Sequence, residues 1–259
     1  CSEDDESAQL KVVDFGCAVV QAKEMEAGKG DAVMGTKAYM SPELFRTKAS
    51  PTPASDMYAA GCIVYVLLTG SHPFDRQGDA SDEEIQEIVM KIGQQQHVMD
   101  KLVFDDRVHG LSDSCIELMK LMMHPDPAKR MTSDQFRRHP WVQGLTASWN
   151  KMADSDRKLE AFWQKRFRAE IMKKFANVGD GDRTLSDENL AEIFHSLDLD
   201  KNGVLEPEEI HSVLRELGVK SKDISEIFDC IDLDGTGVIH WDEFRAIMRT
   251  QFEDGPGVR

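Results

Sequence analysis

Basic charge is scarce in this chain: 31 lysines and arginines stand against 47 aspartates and glutamates, a formal net charge of −16 at pH 7. Phosphate binding needs a basic face, and the only basic stretch is short, which excludes nucleic acid as a partner. Long apolar runs are missing as well. The longest, around Met57 to Leu68, falls well short of the roughly 20 residues that cross a bilayer, so no transmembrane helix is expected. There is no C-x-x-C pair, and the five cysteines (Cys1, Cys17, Cys62, Cys115, Cys230) are scattered and odd in number. That pattern predicts reduced thiols in a cytoplasmic or nuclear compartment. No signal peptide is visible and the chain starts at Cys1 rather than Met. Residues before Cys1 are therefore expected, and with them any targeting signal or peripheral membrane attachment.

The acidic excess is unevenly placed. From Val178 onward there are 20 acidic and 8 basic residues, which points to carboxylates reserved for a cation. Asp198, Asp200 and Asn202 supply oxygens at positions one, three and five of a twelve-position loop, Gly203 makes the turn at six, the Val204 carbonyl serves at seven, and Glu209 closes the site. Asp232, Asp234, Thr236, Gly237, Val238 and Glu243 repeat the pattern 34 residues later. Leu205 and Ile239 take the apolar eighth position, through which paired loops join. Apolar residues at helical spacing flank both loops: Leu190, Ile193, Phe194 and Leu197 before the first, Ile210, Val213 and Leu214 after it. This is the EF-hand pattern. A flexible all-oxygen loop with a bidentate glutamate suits Ca2+ better than Mg2+. Loop one carries four carboxylates counting Glu206, and loop two three, with His240 at position nine; the first is expected to bind more tightly.

The N-terminal half carries a different chemistry. An apolar run, Leu10 to Val13, reads as a short strand ending in Asp14-Phe15-Gly16: one carboxylate for a hard cation, an apolar anchor, and a glycine for the sharp turn. Gly35-Thr36 and Tyr39-Met40-Ser41-Pro42-Glu43 follow, with Ser41 where A-P-E has alanine. Asp56 to Gly61 opens an apolar helix, with Ser55 or Asp56 as its N-cap, ending near Thr69-Gly70. Then come His72-Pro73-Phe74, Asp126 to Arg130, and His139-Pro140-Trp141. In this order the motifs resemble the C-terminal lobe of a serine/threonine protein kinase. The resemblance implies that Asp14 holds the Mg2+ bridging the ATP phosphates, and that Thr36 sits on the substrate side and favours Ser or Thr acceptors. It also implies that Glu43 and Arg130 form a buried ion pair and that Asp56 braces the catalytic loop.

Several parts of a kinase do not occur. There is no Gly-rich phosphate loop, no lysine-bearing strand before Asp14 and no H-R-D-x-x-x-x-N. The general base is thus absent from the sequence, and the chain alone is expected to be inactive. Between Gly16 and Gly35 there is no Ser, Thr or Tyr, so ordering that segment by phosphorylation is closed and control must come from elsewhere.

Between the halves lies a basic island. Leu159, Trp163, Phe167, Ile171 and Phe175 recur every four residues, beside Phe162 and Met172, which predicts a helix over 157–175 with one apolar stripe. Its other face carries Arg157, Lys158, Lys165, Arg166, Arg168, Lys173 and Lys174. Such a helix is one that another protein surface grips in a groove, one that lies on a membrane surface, or an ordinary surface helix packing its stripe on the neighbouring domain. A kinase lobe, a basic junction helix and EF-hands in this order resemble the calcium-dependent protein kinases, which usually have four EF-hands where this chain has two.

The expected fold is mainly α: a truncated helical kinase C-lobe (1–142), an autoinhibitory-type amphipathic junction (143–178), and an EF-hand pair (179–259). The resemblance implies the C-terminal part of a calcium-regulated kinase acting on protein substrates, with Ca2+ relieving inhibition by the junction helix, which also partners the EF pair. The complete protein would use Mg2+ and ATP. The alternative is a non-catalytic calcium-binding interaction module with a remnant kinase lobe. An H-R-D loop upstream of Cys1 separates the two.

Overall fold

The computed structural model describes Phe15, Ala18 and residues 36–47, 51–92, 95–146, 155–174, 186–216, 219 and 221–249. Asp14, the strand expected before it, and Phe175 lie outside the described residues. Among the described residues there is no sheet, only two isolated bridges, His72 with Asp75 and Leu205 with Ile239.

Helices α1 (Pro42–Thr47), α2 (Pro53–Thr69), α3 (Asp82–Ile92), α4 (Gln96–Val103), α5 (Asp113–Met122) and α6 (Ser133–Arg138) form the first body. Its axis is α2, whose Tyr58, Cys62, Tyr65 and Leu68 share one core with Ile85, Val89, Met99, Val103, Cys115 and Met119. Helix α5 comes close at Gly61, where a β-carbon would lie 2.6 Å from Met123 Cγ. The start of α2 differs from the sequence reading. Thr52, not Ser55 or Asp56, is the N-cap: its Oγ1 accepts from the Ser55 N–H, and the Ser55 hydroxyl oxygen accepts from the Thr52 N–H. Pro53 follows at the first turn, where its missing N–H has no helical partner to lose. Gly70, at φ 71°, ends the helix in the left-handed region that glycine enters without strain. The three free thiols described, Cys62, Cys115 and Cys230, are pushed up by burial, Cys62 to about 12.

His72 follows that turn and is 3% exposed. Its ring meets Tyr39 edge-on, with centroids 5.3 Å apart, and its Nδ1 accepts from the Phe74 N–H. Burial pushes the imidazole down to about 3, with Arg166 and Arg107 adding repulsion and the Ala38 carbonyl pulling the other way. The ring is therefore neutral when folded, whereas the unfolded chain takes a proton below about pH 6.5. Stability should fall as pH drops from 6.5 towards 3, by about 2 kcal/mol at pH 5. Denaturant melts of the chain and of His72→Gln at pH 7 and pH 5 check this; an equal loss in both would count against it.

The second body holds α7 (Ser155–Lys174), α8 (Asp187–Leu197), α9 (Pro207–Glu216), α10 (Ser221–Ile231) and α11 (Trp241–Arg249). Leu190, Ile193, Phe194 and Leu197 of α8 are buried with the apolar faces of α9, α10 and α11, as their spacing predicts. Phe167 and Ile171 of α7 belong to that same core, with Trp163 and Met172 packed against it. The Phe167 ring stands edge-on to Phe244 at 6.4 Å. The other face of α7 is not left in water, because the helix packs on α2 as well as on α10 and α11. Lys158 Nζ donates to the Leu68 carbonyl at 2.8 Å, and Lys165 Nζ reaches Ser71 Oγ at 3.4 Å.

Candidate metal centre

Each loop gathers its oxygens through its own backbone. In loop one, Asp198 follows α8, and its two carboxylate oxygens accept from the N–H groups of Asn202 and Gly203 at 3.1 and 2.9 Å. Asp200 accepts from the Asn202 N–H at 3.0 Å. Glu209, in the first turn of α9, accepts from the Leu199 N–H on one oxygen and from the Glu206 N–H on the other. It thereby ties the second and ninth positions of the loop to its last residue. Loop two repeats this: Asp232 accepts from the Thr236 and Gly237 N–H groups, and Glu243 from Leu233 and His240. The Thr236 hydroxyl donates to the Val238 carbonyl at 3.1 Å. Leu205 and Ile239 exchange both backbone hydrogen bonds, at 2.9 and 2.8 Å, and lock the loops side by side.

The outcome is two carboxylate clusters, Asp198-Asp200-Glu209 and Asp232-Asp234-Glu243, each with ligand oxygens within 4.8 Å of one another. Asp198 and Glu209 are only 3% and 7% exposed, and among the described residues neither makes an ion pair. Burying a carboxylate without a counter-charge is costly, and here only N–H dipoles offset it. An all-oxygen set, with Asn202 and the Val204 carbonyl alongside, fits a hard divalent cation of calcium's coordination habit.

Position four is left-handed in both loops, Gly235 at φ 68° and Lys201 at φ 61°. Glycine adopts that region freely, while a lysine there costs about 1 kcal/mol or more. Lys201→Gly should therefore stabilise the chain by about 0.5–1 kcal/mol. Urea melting without calcium measures it, and a loss of stability would contradict the strain.

The kinase-side residues are placed as follows. Arg130 makes a two-pronged bond to Glu43, at 2.7 and 2.9 Å, and its remaining donors reach the His124 and Ala54 carbonyls. Its guanidinium lies over the Tyr58 ring at 5.1 Å. Burial pushes the Glu43 carboxyl up, but Arg130 outweighs it and holds Glu43 below the usual range. Thr36 is half-buried just before a 3-10 turn, Lys37–Tyr39, and Asp56 is exposed in the first turn of α2. Phe15 is 70% exposed. In the junction, Leu159, Trp163, Lys165, Arg166 and Arg168 are half-buried, and Phe167 and Ile171 are fully buried.

Three contributors carry no motif. Gln164 donates its side-chain amide to the Cys230 carbonyl at 2.9 Å. Gly70 and Gly78 bring the lobe backbone against α7. A glycine just after a helical run signals a cap, but nothing local says that a second helix lies against it.

The protein kinase domain family matches residues 3–142, and the EF-hand domain pair matches residues 187–249. The chain is similar to calcium-dependent protein kinase 24 of Arabidopsis thaliana, 30% identical over 84% of this chain and 35% of that protein. It is 29% identical to calcium-dependent protein kinase 21 of Oryza sativa subsp. japonica, over 79% of this chain and 34% of that protein. Serine/threonine-protein kinase PKZ1 of Phytophthora infestans is 32% identical over 53% of this chain and 32% of its own length. The chain spans about a third of the length of the curated relatives it matches. No helix described is long and apolar enough to cross a membrane.

Proposed function

Because the chain belongs to the calcium-dependent protein kinase family, we propose that it is the calcium-responsive C-terminal part of a serine/threonine protein kinase, in which the two EF-hand loops control α7. The observation that supports this reading is the setting of α7, with Phe167 and Ile171 in the EF-hand core and Lys158 and Lys165 on the kinase segment. A bound Ca2+ supplies two positive charges to each carboxylate cluster. Asp198, Asp200, Asn202, the Val204 carbonyl and Glu209 would hold one ion. Asp232, Asp234, Thr236, the Val238 carbonyl and Glu243 would hold the other.

Glu209 and Glu243 are the levers. Each sits at the start of an exiting helix, so re-aiming its carboxylate moves that helix. Glu243 adjoins Phe244, whose ring meets Phe167 of α7. Movement of α11 therefore reaches the junction helix within one side-chain contact. In this reading α7, with Leu159, Trp163, Arg166 and Arg168 beside the residues named, acts as the brake, and calcium relieves it. Residues 1–142, 143–178 and 179–259 would be the kinase, junction and sensor parts.

On the catalytic side, Asp14 would hold Mg2+ on ATP and Thr36 would line the substrate side, with protein Ser or Thr as acceptor. Glu43, Arg130 and Asp56 would be structural. The general base would come from outside this sequence, so the chain alone should transfer no phosphate. Calorimetric titration of the 259-residue chain with Ca2+ tests the reading. About two ions per chain are expected. No binding heat, or phosphoryl transfer abolished by Asp14→Ala, would overturn the corresponding half of it.

A further inference from the structure

Both loops offer oxygen at positions one, three, five, seven and twelve. They differ in kind only at position nine, where loop one has Glu206 and loop two has His240. Loop one shows where a ninth side chain can reach. Asn202 Nδ2, at position five, donates to Glu206 Oε1 at 3.2 Å and to Asp200 Oδ2 at 3.1 Å, so residue nine meets the ring of ligand side chains. Loop two holds its ninth residue in the same frame. The His240 N–H donates to Glu243 at 2.8 Å as the Glu206 N–H donates to Glu209 at 3.0 Å, and Ile239 beside it is fixed by the bridge to Leu205. The His240 side chain is exposed and makes no hydrogen bond among the described residues. Its ring stands outside the tight cluster Asp232-Asp234-Glu243, and turning it inward is only a rotamer change of an exposed side chain. The Asp234 carboxyl is held below its usual range by hydrogen bonds from Thr236 first, and His240 adds to this, so the imidazole is within electrostatic reach of the site.

We propose that loop two, unlike loop one, is a mixed nitrogen and oxygen site that also takes a transition-metal dication such as Zn2+, with His240 as the nitrogen ligand. This deepens the calcium reading above and rests on it. Three carboxylates and one imidazole make up the four-ligand set that Zn2+ favours. Imidazole suits zinc and its neighbours in the series, whereas Ca2+ collects six to eight oxygens and gains nothing from a nitrogen. Loop one has oxygens only, and its four carboxylates, counting Glu206, favour the hard ion. Asp232, Asp234 and Glu243 serve either ion at loop two, so the two ions compete there. The EF pair then holds one loop selective for Ca2+ and one that responds to both metals.

The test is calorimetric titration of the full chain with Ca2+ and with Zn2+, each alone and in competition, for wild type, His240→Asn and Glu243→Gln. In wild type one Zn2+ is expected to displace one of two Ca2+ ions. His240→Asn keeps an oxygen at position nine and removes the nitrogen. It should weaken Zn2+ by about tenfold or more, since even an outer-shell partner of a metal ligand is worth that much, and leave Ca2+ binding unchanged. His240 is exposed, so the variant keeps the fold. Glu243→Gln should weaken both ions at loop two, which locates the zinc there. The chain has eight histidines, so Zn2+ that stays bound in both variants is an adventitious ion only and overturns the proposal. Zn2+ that leaves both Ca2+ ions in place, or an unchanged Zn2+ affinity in His240→Asn, overturns it as well. Wild type that binds Zn2+ but no Ca2+ fails the calcium reading instead, a distinct result.

Discussion

Replacing Arg130 by methionine is expected to cost about 3–5 kcal/mol, because it leaves Glu43 as a buried carboxylate without its counter-charge. The Glu43 side chain is 12% exposed and that of Arg130 is fully buried, so water can take over only part of the lost bonds. The same substitution strands the His124 and Ala54 carbonyls and uncovers the Tyr58 face. Arg130→Lys should recover little, since an ammonium cannot make a two-pronged bond and serve two carbonyls in fixed directions. Removing both charges, as in Arg130→Met with Glu43→Leu, should cost less than Arg130→Met alone. The pH dependence has a definite sign. The folded Glu43 carboxyl lies below its ordinary value of 4.5, so the pair's contribution is fully present above that value and is lost as pH falls through the folded one. Circular dichroism melting of the 259-residue chain at pH 7 reads the effect as a midpoint lower by on the order of 10 °C. A loss under about 1 kcal/mol would show that the pair is no more than a surface salt bridge.

The partners of that ion pair stand 87 residues apart, and nothing in local periodicity joins them. They were legible only because each sits in a motif whose order is shared with protein kinases. The EF-hand pair was legible from the spacing of its residues, since oxygen donors at fixed offsets, a turn glycine and a closing glutamate leave few other uses. The helical spacing of Leu190, Ile193, Phe194 and Leu197 likewise gave the core face of α8 directly. What spacing cannot convey is what lies opposite a polar face. The basic face of α7 reads as one that another surface grips, but its spacing does not say which surface; Lys158 and Lys165 lie on the kinase segment, because a long side chain can bury its stem and still place its charge on a carbonyl. The cap of α2 was misplaced by three or four residues for a related reason. Ser55 and Asp56 are as competent as Thr52 to cap, and the choice falls to the extended backbone at Thr52 (φ −126°, ψ 162°) and to Pro53 after it.

Glu209→Gln should weaken calcium binding at loop one by on the order of a hundredfold, about 2.7 kcal/mol, and should also weaken loop two. Charge is the first cause, because the variant leaves three carboxylates in loop one, counting Glu206, where there were four. Geometry is the second. In Glu209 one oxygen accepts from Leu199 and Asp200 and the other from Glu206. A glutamine must turn its NH2 towards one of these donors, so one end of the loop loses its tie whichever way the amide lies. The effect crosses to loop two through the paired bonds of Leu205 and Ile239, since these hold only while both loops keep their shape. Glu243→Gln should act in the same manner but with a smaller penalty, because loop two is more exposed and its charges are better screened. Asp200→Asn separates the two causes: it removes a charge at an exposed position while its remaining carbonyl can still accept from Asn202. It should weaken loop one without disturbing loop two. Titration calorimetry on the full chain resolves the outcomes. Two sites of unchanged affinity in Glu209→Gln would remove Glu209 from the ligand set, and a defect confined to loop one would show that the Leu205–Ile239 bridge does not couple the loops.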